Sequence, residues 1–278
     1  YEVSEDNVKY SSDKKGVLYE NHPSLWYDKN NRPTINENER AKPVPVAVVH
    51  APIKAQLGDY IFPETIVKIY SGAFANNANL KTVELGHIRV IEDKAFYSCS
   101  ELTTVVFGRE DMTVGKIVLN TGEEVELTKE SYSQTIGSSA FQMCQKLETV
   151  NLDSPFITKI GIRAFAECAT SNDTGLTITL GEKVEEVGWN GDQGDKTSEG
   201  DTKLKTPSAD TFAGTNVLKY AVAPGNEHYV AVDDVLYEID GSNAYLTAYP
   251  THRKASVFTV PSKVESKSVT AVKSSAFS

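Results

Sequence analysis

Three cysteines are the side chains in this sequence that are best suited to chemistry. Cys99, Cys144 and Cys168 are the only cysteines among 278 residues, and they stand 45 and 24 positions apart. Metal sites and redox pairs usually bring two cysteines together within a few residues, as in Cys-x-x-Cys. We therefore expect small buried side chains with a weak S–H donor, and leave a disulfide and catalysis open as alternatives.

Histidine and acidic side chains form no recognised catalytic pattern. No HxH, HExxH, Gly-x-Ser-x-Gly or P-loop motif occurs, and the histidines are dispersed as His22, His50, His87, His228 and His252. In the stretch NGDQGD at 190–195, the side-chain oxygens of Asn190, Asp192 and Asp195 could bind calcium, although the spacing is not that of an EF-hand. The alternative is a solvated acidic loop. We expect a protein that is not an enzyme and has no cofactor or metal.

The composition describes a soluble chain with an acidic surface. It is 40% hydrophobic and 24% charged, with a formal net charge of -10 and a mean hydropathy of -0.34. No run of 18 apolar residues occurs, so we expect no transmembrane segment. An acidic chain without a basic stripe is a poor match for phosphates, so we expect no nucleic acid partner. Because the chain begins at Tyr1, we expect any export signal to be absent from it.

An apolar pattern with steps of 5, 3, 3, 3 and 2 residues recurs along the chain, and such a period predicts a solenoid. The complete copies are Ile69, Phe74, Asn77, Leu80, Val83, Leu85; Ile91, Phe96, Cys99, Leu102, Val105, Phe107; and Ile136, Phe141, Cys144, Leu147, Val150, Leu152. A fourth copy begins with Ile160, Phe165 and Cys168, and weaker copies contain Phe212 and Phe277.

Each copy predicts one short strand and one tight turn. The closing Leu-x-x-Val-x-Leu has the alternation of a strand, and the steps of three before it favour a helical or 3₁₀ turn. Stacked in parallel, such units bury a continuous core. We therefore expect a β-rich α/β solenoid with repeats of about 23 residues, and one inward aromatic column made of Phe74, Phe96, Phe141 and Phe165.

The repeats resemble a known family. VKIYSGAFANNANLKTVEL, RVIEDKAFYSCSELTTVVF and QTIGSSAFQMCQKLETVNL are similar to the BspA-like leucine-rich repeats, and the resemblance covers roughly residues 58–278. The lead-ins YIFPETIVKI and FTVPSKV resemble the extended strand that precedes a repeat in that family. The resemblance implies an exported, bacterial, extracellular or cell-surface protein that binds a protein or a glycan. Asn77 and Thr215 depart from the Cys of the pattern.

The remaining segments divide the chain. We expect residues 1–57 to be an N-terminal cap or hairpin, and residues 58–278 to be the solenoid with insertions near 108–135 and 188–207 and a hairpin at 226–250. KIVLNTGEEVEL at 116–127, in the first insertion, is typical of a β-hairpin. The second insertion, 188–207, is typical of a polar loop. Asn7, Tyr10 and VLY at 17–19 match Asn226, Tyr229 and VLY at 235–237, which predicts two similar hairpins.

The outward positions of the repeat strands are the candidate binding face. Stacking would align two rows, namely Thr82, Thr104, Thr149 and Thr177, and Glu84, Val106, Asn151 and Thr179. Threonine also favours half-exposed strands without any ligand. The hypotheses are an adhesion or interaction protein that binds through this face, and a scaffold domain of a longer surface protein with no ligand of its own. The identity of the partner and the oligomeric state stay open.

The last repeat stops one residue after Phe277. The pattern calls for a further Cys-like residue, a Leu and a closing strand beyond it. Because solenoid ends are normally covered by a cap, we expect that the polypeptide continues or that a partner covers this end.

Overall fold

A computed structural model describes the solenoid and most of its flanking segments. The described residues are 1–4, 7–27, 33–34, 42–86, 88–108, 116–118, 124–126, 132–189, 209–253, 255 and 257–278. Within these ranges the chain forms a β-solenoid of about seven turns. Each complete coil contributes one strand to a first sheet, a turn segment, and one strand to a second sheet.

The first sheet, sheet A, has nine strands. From β4 onward its neighbours are parallel, and β1, β2 and β3 extend it antiparallel at the N-terminal end. The strands are β1 (Tyr10–Ser12), β2 (Leu18–Tyr27), β3 (Pro33–Thr34), β4 (Lys42–His50), β6 (Lys68–Ile69), β8 (Val90–Ile91), β12 (Gln134–Ile136), β14 (Ile157–Gly161) and β16 (Glu186–Trp189). The antiparallel pairs cover the edge that β4 would otherwise expose.

The second layer consists of two parallel sheets. Sheet B contains β5 (Gly58–Ile61), β7 (Leu80–Glu84), β9 (Thr104–Val106) and β13 (Thr149–Val150). Sheet D contains β15 (Leu176–Leu180) and β17 (Val217–Val222), which serve the later coils. The closing Leu-x-x-Val-x-Leu of each repeat therefore forms the strand that its alternation predicts.

The turn segments contain the three-residue hydrogen bonds of a 3₁₀ turn but form no continuous helix, so the α/β description is not confirmed. In the coil that contains Phe74, the N–H groups of Ala73, Ala75 and Asn77 bond within the coil, to carbonyls three residues back. The N–H groups between them bond to the next coil, as Phe74 does to Ala95 at 2.7 Å. A helix directs all its N–H groups along its own axis, so this alternation produces linked turns instead. The helix that the described residues do contain is one short 3₁₀ helix, Ala209–Phe212.

The core is one aromatic column flanked by aliphatic side chains. Phe74, Phe96, Phe141 and Phe165 are stacked with ring centroids 5.0, 4.9 and 5.1 Å apart, which confirms the predicted column. Phe212 continues it at 6.1 Å. The first four rings are fully buried, and offset stacking adds about 0.5–1.5 kcal/mol per pair beyond area burial.

Two segments interrupt the stack with strands of their own. β10 (Lys116–Val118) and β11 (Glu124–Glu126) pair antiparallel, as the hairpin pattern predicts. After β17 the chain forms sheet E, in the order β18-β19-β20-β22-β21. Its strands are β18 (Tyr229–Val232), β19 (Val235–Asp240), β20 (Asn243–Ala248), β21 (Lys263–Val264) and β22 (Lys267–Val272).

Candidate functional site

Sheet B positions the candidate face by strict alternation along its strands. Tyr60, Val83, Val105 and Val150 point inward, with exposed fractions between 0% and 8%. The residues on either side of each of them point outward, because successive side chains of a strand lie on opposite faces. The outward side chains therefore form rows across the coils.

The first row lies in register across four strands. Asp59 of β5 pairs with Thr82, Thr82 with Thr104, and Thr104 with Thr149. The threonines are exposed or half-buried, and the Oγ1 atoms of Thr104 and Thr103 lie 3.5 Å apart. Neighbouring strands lie about 4.8 Å apart, so this row is a narrow polar strip.

The second row is shorter than the sequence predicts. Ile61 pairs with Glu84, and Glu84 with Val106. Asn151 follows β13, and its Oδ1 accepts a hydrogen bond from the N–H of Phe107 at 2.6 Å. Asn151 therefore links two coils, so its carbonyl oxygen is engaged within the protein.

The fourth member of each predicted row lies in another sheet. Thr177 and Thr179 belong to β15, where Thr177 pairs with Lys219 and Thr179 with Ala221 of β17. β15 still contacts β13, but the two strands share no ladder. The structure therefore places Thr82, Thr104 and Thr149 in register in sheet B, and Thr177 and Thr179 in the adjoining sheet D.

Two outward residues of β5 extend the face and were not predicted. The sequence assigns YIF to a lead-in strand, whereas β5 is the edge strand of sheet B. Asp59 is exposed, and Ile61 is exposed by 77%. The alternation of Asp59, Tyr60, Ile61 and Phe62 was the available signal.

An open depression adjoins the start of these strands. Its volume is about 500 Å³, and its lining residues are Gln56, Gly58, Ala78, Asn79, Lys81 and Glu101. Glu101 also forms an ion pair with Lys146, with the Nζ and Oε1 atoms 2.7 Å apart and both side chains about half exposed. Exposed pairs of this kind contribute little stability.

The three cysteines have a structural role at one repeat position. All three are free and fully buried. Each thiol donates to the carbonyl of a phenylalanine in the preceding coil, at 3.2 Å for Cys99 to Phe74, 3.4 Å for Cys144 to Phe96 and 3.0 Å for Cys168 to Phe141. Asn77 and Thr215 occupy the same slot and donate to Pro52 and Phe165. The position therefore selects a small donor, which explains both departures from Cys.

The environment of these thiols does not favour reactivity. Burial raises the pKa of the Cys99 thiol to about 12, and a hydrogen bond with the backbone of Asn77 opposes this in part. Burial also raises the pKa of Cys144 well above its ordinary value. A nucleophilic cysteine needs the thiolate, so neither side chain is suited to catalysis at neutral pH.

Side chains that could ligate a metal ion are dispersed across the described ranges. There, the His, Cys, Asp and Glu side chains form no group of three or more that could hold a metal ion. The NGDQGD stretch and His87 lie outside the described residues. No helix in the part of the chain that the structure covers has the length and apolar character needed to cross a bilayer.

Comparison with protein families identifies the repeats. The family model described as the BspA type leucine rich repeat region matches with six copies, over residues 54–121 and 120–188. No curated protein matches the chain.

Comparison with solved structures finds two proteins with some similarity to this chain. Pneumococcal vaccine antigen PcpA has a TM-score of 0.51 and 19% identity, with 97% of this chain and 62% of that chain covered. A leucine-rich cell surface protein from Faecalibacterium prausnitzii A2-165 has a TM-score of 0.45 and 21% identity, with 93% and 66% covered. The chain thus spans less than two thirds of either protein, and the likeness to PcpA concerns the fold alone.

Proposed function

The repeat region of this chain is a BspA-type leucine-rich-repeat region, and on that premise we propose that the protein is a non-enzymatic, exported cell-surface protein that binds a protein or glycan through sheet B. The observation that carries the proposal is the row of Asp59, Thr82, Thr104 and Thr149, which lie in register and face outward. Solenoids bind partners through extended faces of this kind.

The chemistry of the face favours a polar partner. Threonine hydroxyls both donate and accept hydrogen bonds, and Asp59, Glu84 and Lys81 add exposed charges of both signs. Ile61 and Val106 provide apolar contacts in the second row. A protein surface or a glycan presents complementary groups to such a mixture.

A ligand-free scaffold is the second candidate, and one observation favours it. Every threonine of the row stands at a half-exposed or exposed strand position, where threonine is common without any ligand. In this case sheet B has no partner, and the repeats serve to present other parts of a longer surface protein.

A matched pair of variants separates the two candidates. Thr104 lies in β9, between β7 and β13, and Thr135 lies in β12, between β8 and β14, so each is a half-buried threonine in a central parallel strand. The protein and its Thr104→Arg and Thr135→Arg variants are applied to an array of extracellular matrix proteins and glycans. We expect Thr104→Arg to weaken the retained interaction about tenfold or more, equivalent to about 1.4 kcal/mol, and Thr135→Arg to leave it unchanged.

The thermal midpoints of both variants establish that each one folds. An equal loss of binding in both variants would favour the ligand-free scaffold. So would an array on which no member retains the protein. Replacement of residues 109–131 by a short Gly-Ser linker leaves β12 intact and tests the insertion separately, since loss of binding in that variant alone would move the site from sheet B to the hairpin.

A further inference from the structure

The depression beside the start of β7 is built from the turns that lead into neighbouring strands of sheet B. Gln56 precedes β5, Asn79 precedes β7, and Glu101 precedes β9. Gly58 and Lys81 lie in the first two of these strands. Successive coils therefore each supply part of the lining, and the volume of about 500 Å³ lies within the usual range of small-ligand sites.

A buried asparagine fixes two walls of the depression. The Nδ2 atom of Asn77 donates to the carbonyl of Pro52, and its Oδ1 atom accepts from the N–H of Asn79, both at 3.0 Å. The N–H of Gly58 then donates to the carbonyl of Asn79 at 2.9 Å. A cysteine at this repeat position would supply the donor but accepts only weakly. The bond that holds Asn79 therefore depends on asparagine.

A shift of register in β7 sets Lys81 apart from its neighbours. Gly58 of β5 pairs with Leu80 of β7, and the next pair is Asp59 with Thr82. Lys81 is therefore an extra residue on β7, as in a β-bulge, and its exposed side chain lines the depression. Bulges are common beside functional sites, where they redirect a side chain.

The depression carries one positive charge that the described residues do not neutralise. Within the described ranges, no hydrogen bond or ion pair joins the Nζ atom of Lys81 to another residue. Glu101, the acidic residue of the lining, is already paired with Lys146, whose Nζ atom lies 2.7 and 2.9 Å from its two carboxylate oxygens. The ammonium group of Lys81 is therefore left for a ligand with a negative charge.

The other groups of the lining suit hydroxyls. The side-chain amides of Gln56 and Asn79 form no hydrogen bond with another described residue, and an amide both donates and accepts. A Cβ atom at Gly58 would have no neighbour within 4 Å, so this side of the depression is open. Ala78 adds a single methyl group. Such a lining favours a hydroxyl-rich ligand over an apolar one.

We propose that the depression binds a uronic acid unit of a glycan, with its carboxylate at Lys81 and its hydroxyls at Gln56 and Asn79. The inference rests on the proposed function and deepens it by naming the class of ligand, an acidic glycan. The neighbouring sugars follow the outward row that begins with Asp59 and Thr82. An acidic peptide side chain would occupy the ammonium group alone, so the two amides favour the sugar.

The test is calorimetry with an oligosaccharide of alternating glucuronic acid and N-acetylglucosamine. Its carboxyl-reduced form is the ligand control, because it keeps the rings and lacks the charge. Lys81→Gln removes the ammonium group from the protein. Lys219→Gln is the matched control, since Lys219 is also an exposed lysine on a parallel strand, β17 of sheet D. Free glucuronate is titrated separately, to distinguish a single sugar acid from a glycan.

We expect the oligosaccharide to bind more tightly than free glucuronate, and carboxyl reduction to weaken binding about fivefold or more. Lys81→Gln should weaken binding of the acidic form by a similar factor and leave binding of the reduced form unchanged, whereas Lys219→Gln should change neither. Equal binding of the acidic and reduced forms, or no binding of either at millimolar concentration, would overturn the proposal. So would an acidic peptide that binds as tightly as the oligosaccharide and loses affinity in Lys81→Gln.

The Thr104→Arg variant separates this outcome from that of the proposed function. If Thr104→Arg weakens retention of an array ligand while Lys81→Gln and carboxyl reduction have no effect, sheet B is the binding face and the uronic acid site is wrong. If Lys81→Gln and carboxyl reduction weaken oligosaccharide binding while Thr104→Arg does not, the depression binds the uronic acid and the row of sheet B is not the binding face.

Discussion

At the scale of the residue, each coil depends on one aromatic ring and one small donor. The ring of Phe141 lies between those of Phe96 and Phe165, at 4.9 and 5.1 Å. Three positions later, Cys144 bonds back to the Phe96 carbonyl. Sequence periodicity predicts the ring position fully, because apolar spacing alone defines it. It predicts the donor slot only in part, since Asn, Cys and Thr share a polar hydrogen and small size rather than hydrophobicity.

The aromatic column makes Phe141 sensitive to truncation. Phe141→Ala removes a fully buried ring and leaves a cavity between two stacked neighbours, so we expect the free energy of unfolding to fall by about 3–5 kcal/mol. Phe277→Ala, at a position that is 52% exposed, should cost about 1 kcal/mol or less. Denaturant titration of both variants measures the difference, and equal midpoints would refute the column as the centre of the core.

The buried thiols predict selective reactivity. We expect the native protein to react with almost no thiol reagent and the denatured protein to react with three equivalents, since all three cysteines are free and buried. The count is made without reductant in both states. A count below three in denaturant would indicate a disulfide.

The raised pKa of Cys99 predicts a loss of stability in alkaline solution. In the folded state its pKa is about 12, against 9.0 for the free side chain, so the unfolded chain releases the proton at lower pH. This contribution is intact below pH 9.0 and declines as pH rises toward 12. Cys99→Thr keeps a small donor and does not titrate, so its stability should fall less over that interval. If the unfolding free energies of the unmodified protein and of Cys99→Thr depend identically on pH, the raised pKa of Cys99 is contradicted.

At the scale of the element, the turn segments are where the sequence-based prediction and the structure differ. Steps of three residues between apolar positions favour a helical or 3₁₀ turn, and the segments do contain hydrogen bonds to carbonyls three residues back. They form no continuous helix, because left-handed residues stand two before and two after each phenylalanine. These residues are Gly72, Asn76, Lys94, Ser98, Ser139, Met143, Arg163 and Glu167, with φ between 55° and 66°. Of these eight residues, only Gly72 and Asn76 are of types that favour the left-handed region. The residue types at the other six positions therefore did not indicate left-handed turns.

The left-handed positions predict an unusual response to glycine. Lys94 is exposed and has a φ of 58°, a conformation that costs a residue with a Cβ about 1–2 kcal/mol. We expect Lys94→Gly to raise the free energy of unfolding by about 0.5–1 kcal/mol after the entropy of the unfolded chain is included.

The matched control is Lys81→Gly, at an exposed position inside β7. Glycine in a strand weakens it by about 0.5–1 kcal/mol. Thermal unfolding of both variants should therefore shift in opposite directions. A loss of stability in Lys94→Gly comparable to that in Lys81→Gly would contradict the role of the left-handed turns.

At the scale of the whole molecule, repeat spacing predicts a stack but not where its sheets break. The three complete copies place β7, β9 and β13 side by side in sheet B, as their identical steps require. The fourth copy contains an insertion, and its strand β15 pairs with β17 in sheet D instead. Thr177 and Thr179 therefore lie in a strand that contacts β13 but forms its backbone ladder with β17. Asp59 and Ile61 were missed because their strand resembled a lead-in.

The most direct test of sheet B as the binding face is radical footprinting of side chains, with and without the ligand retained on the array. Ile61 on sheet B is 77% exposed, and Val90 on sheet A and Leu218 on sheet D are 38% and 42% exposed, so all three are open to oxidation in the free protein. We expect the ligand to slow oxidation of Ile61 and Val106 and to leave Val90 and Leu218 unchanged. Protection of Val90 or Leu218 with Ile61 still fully reactive would contradict the account.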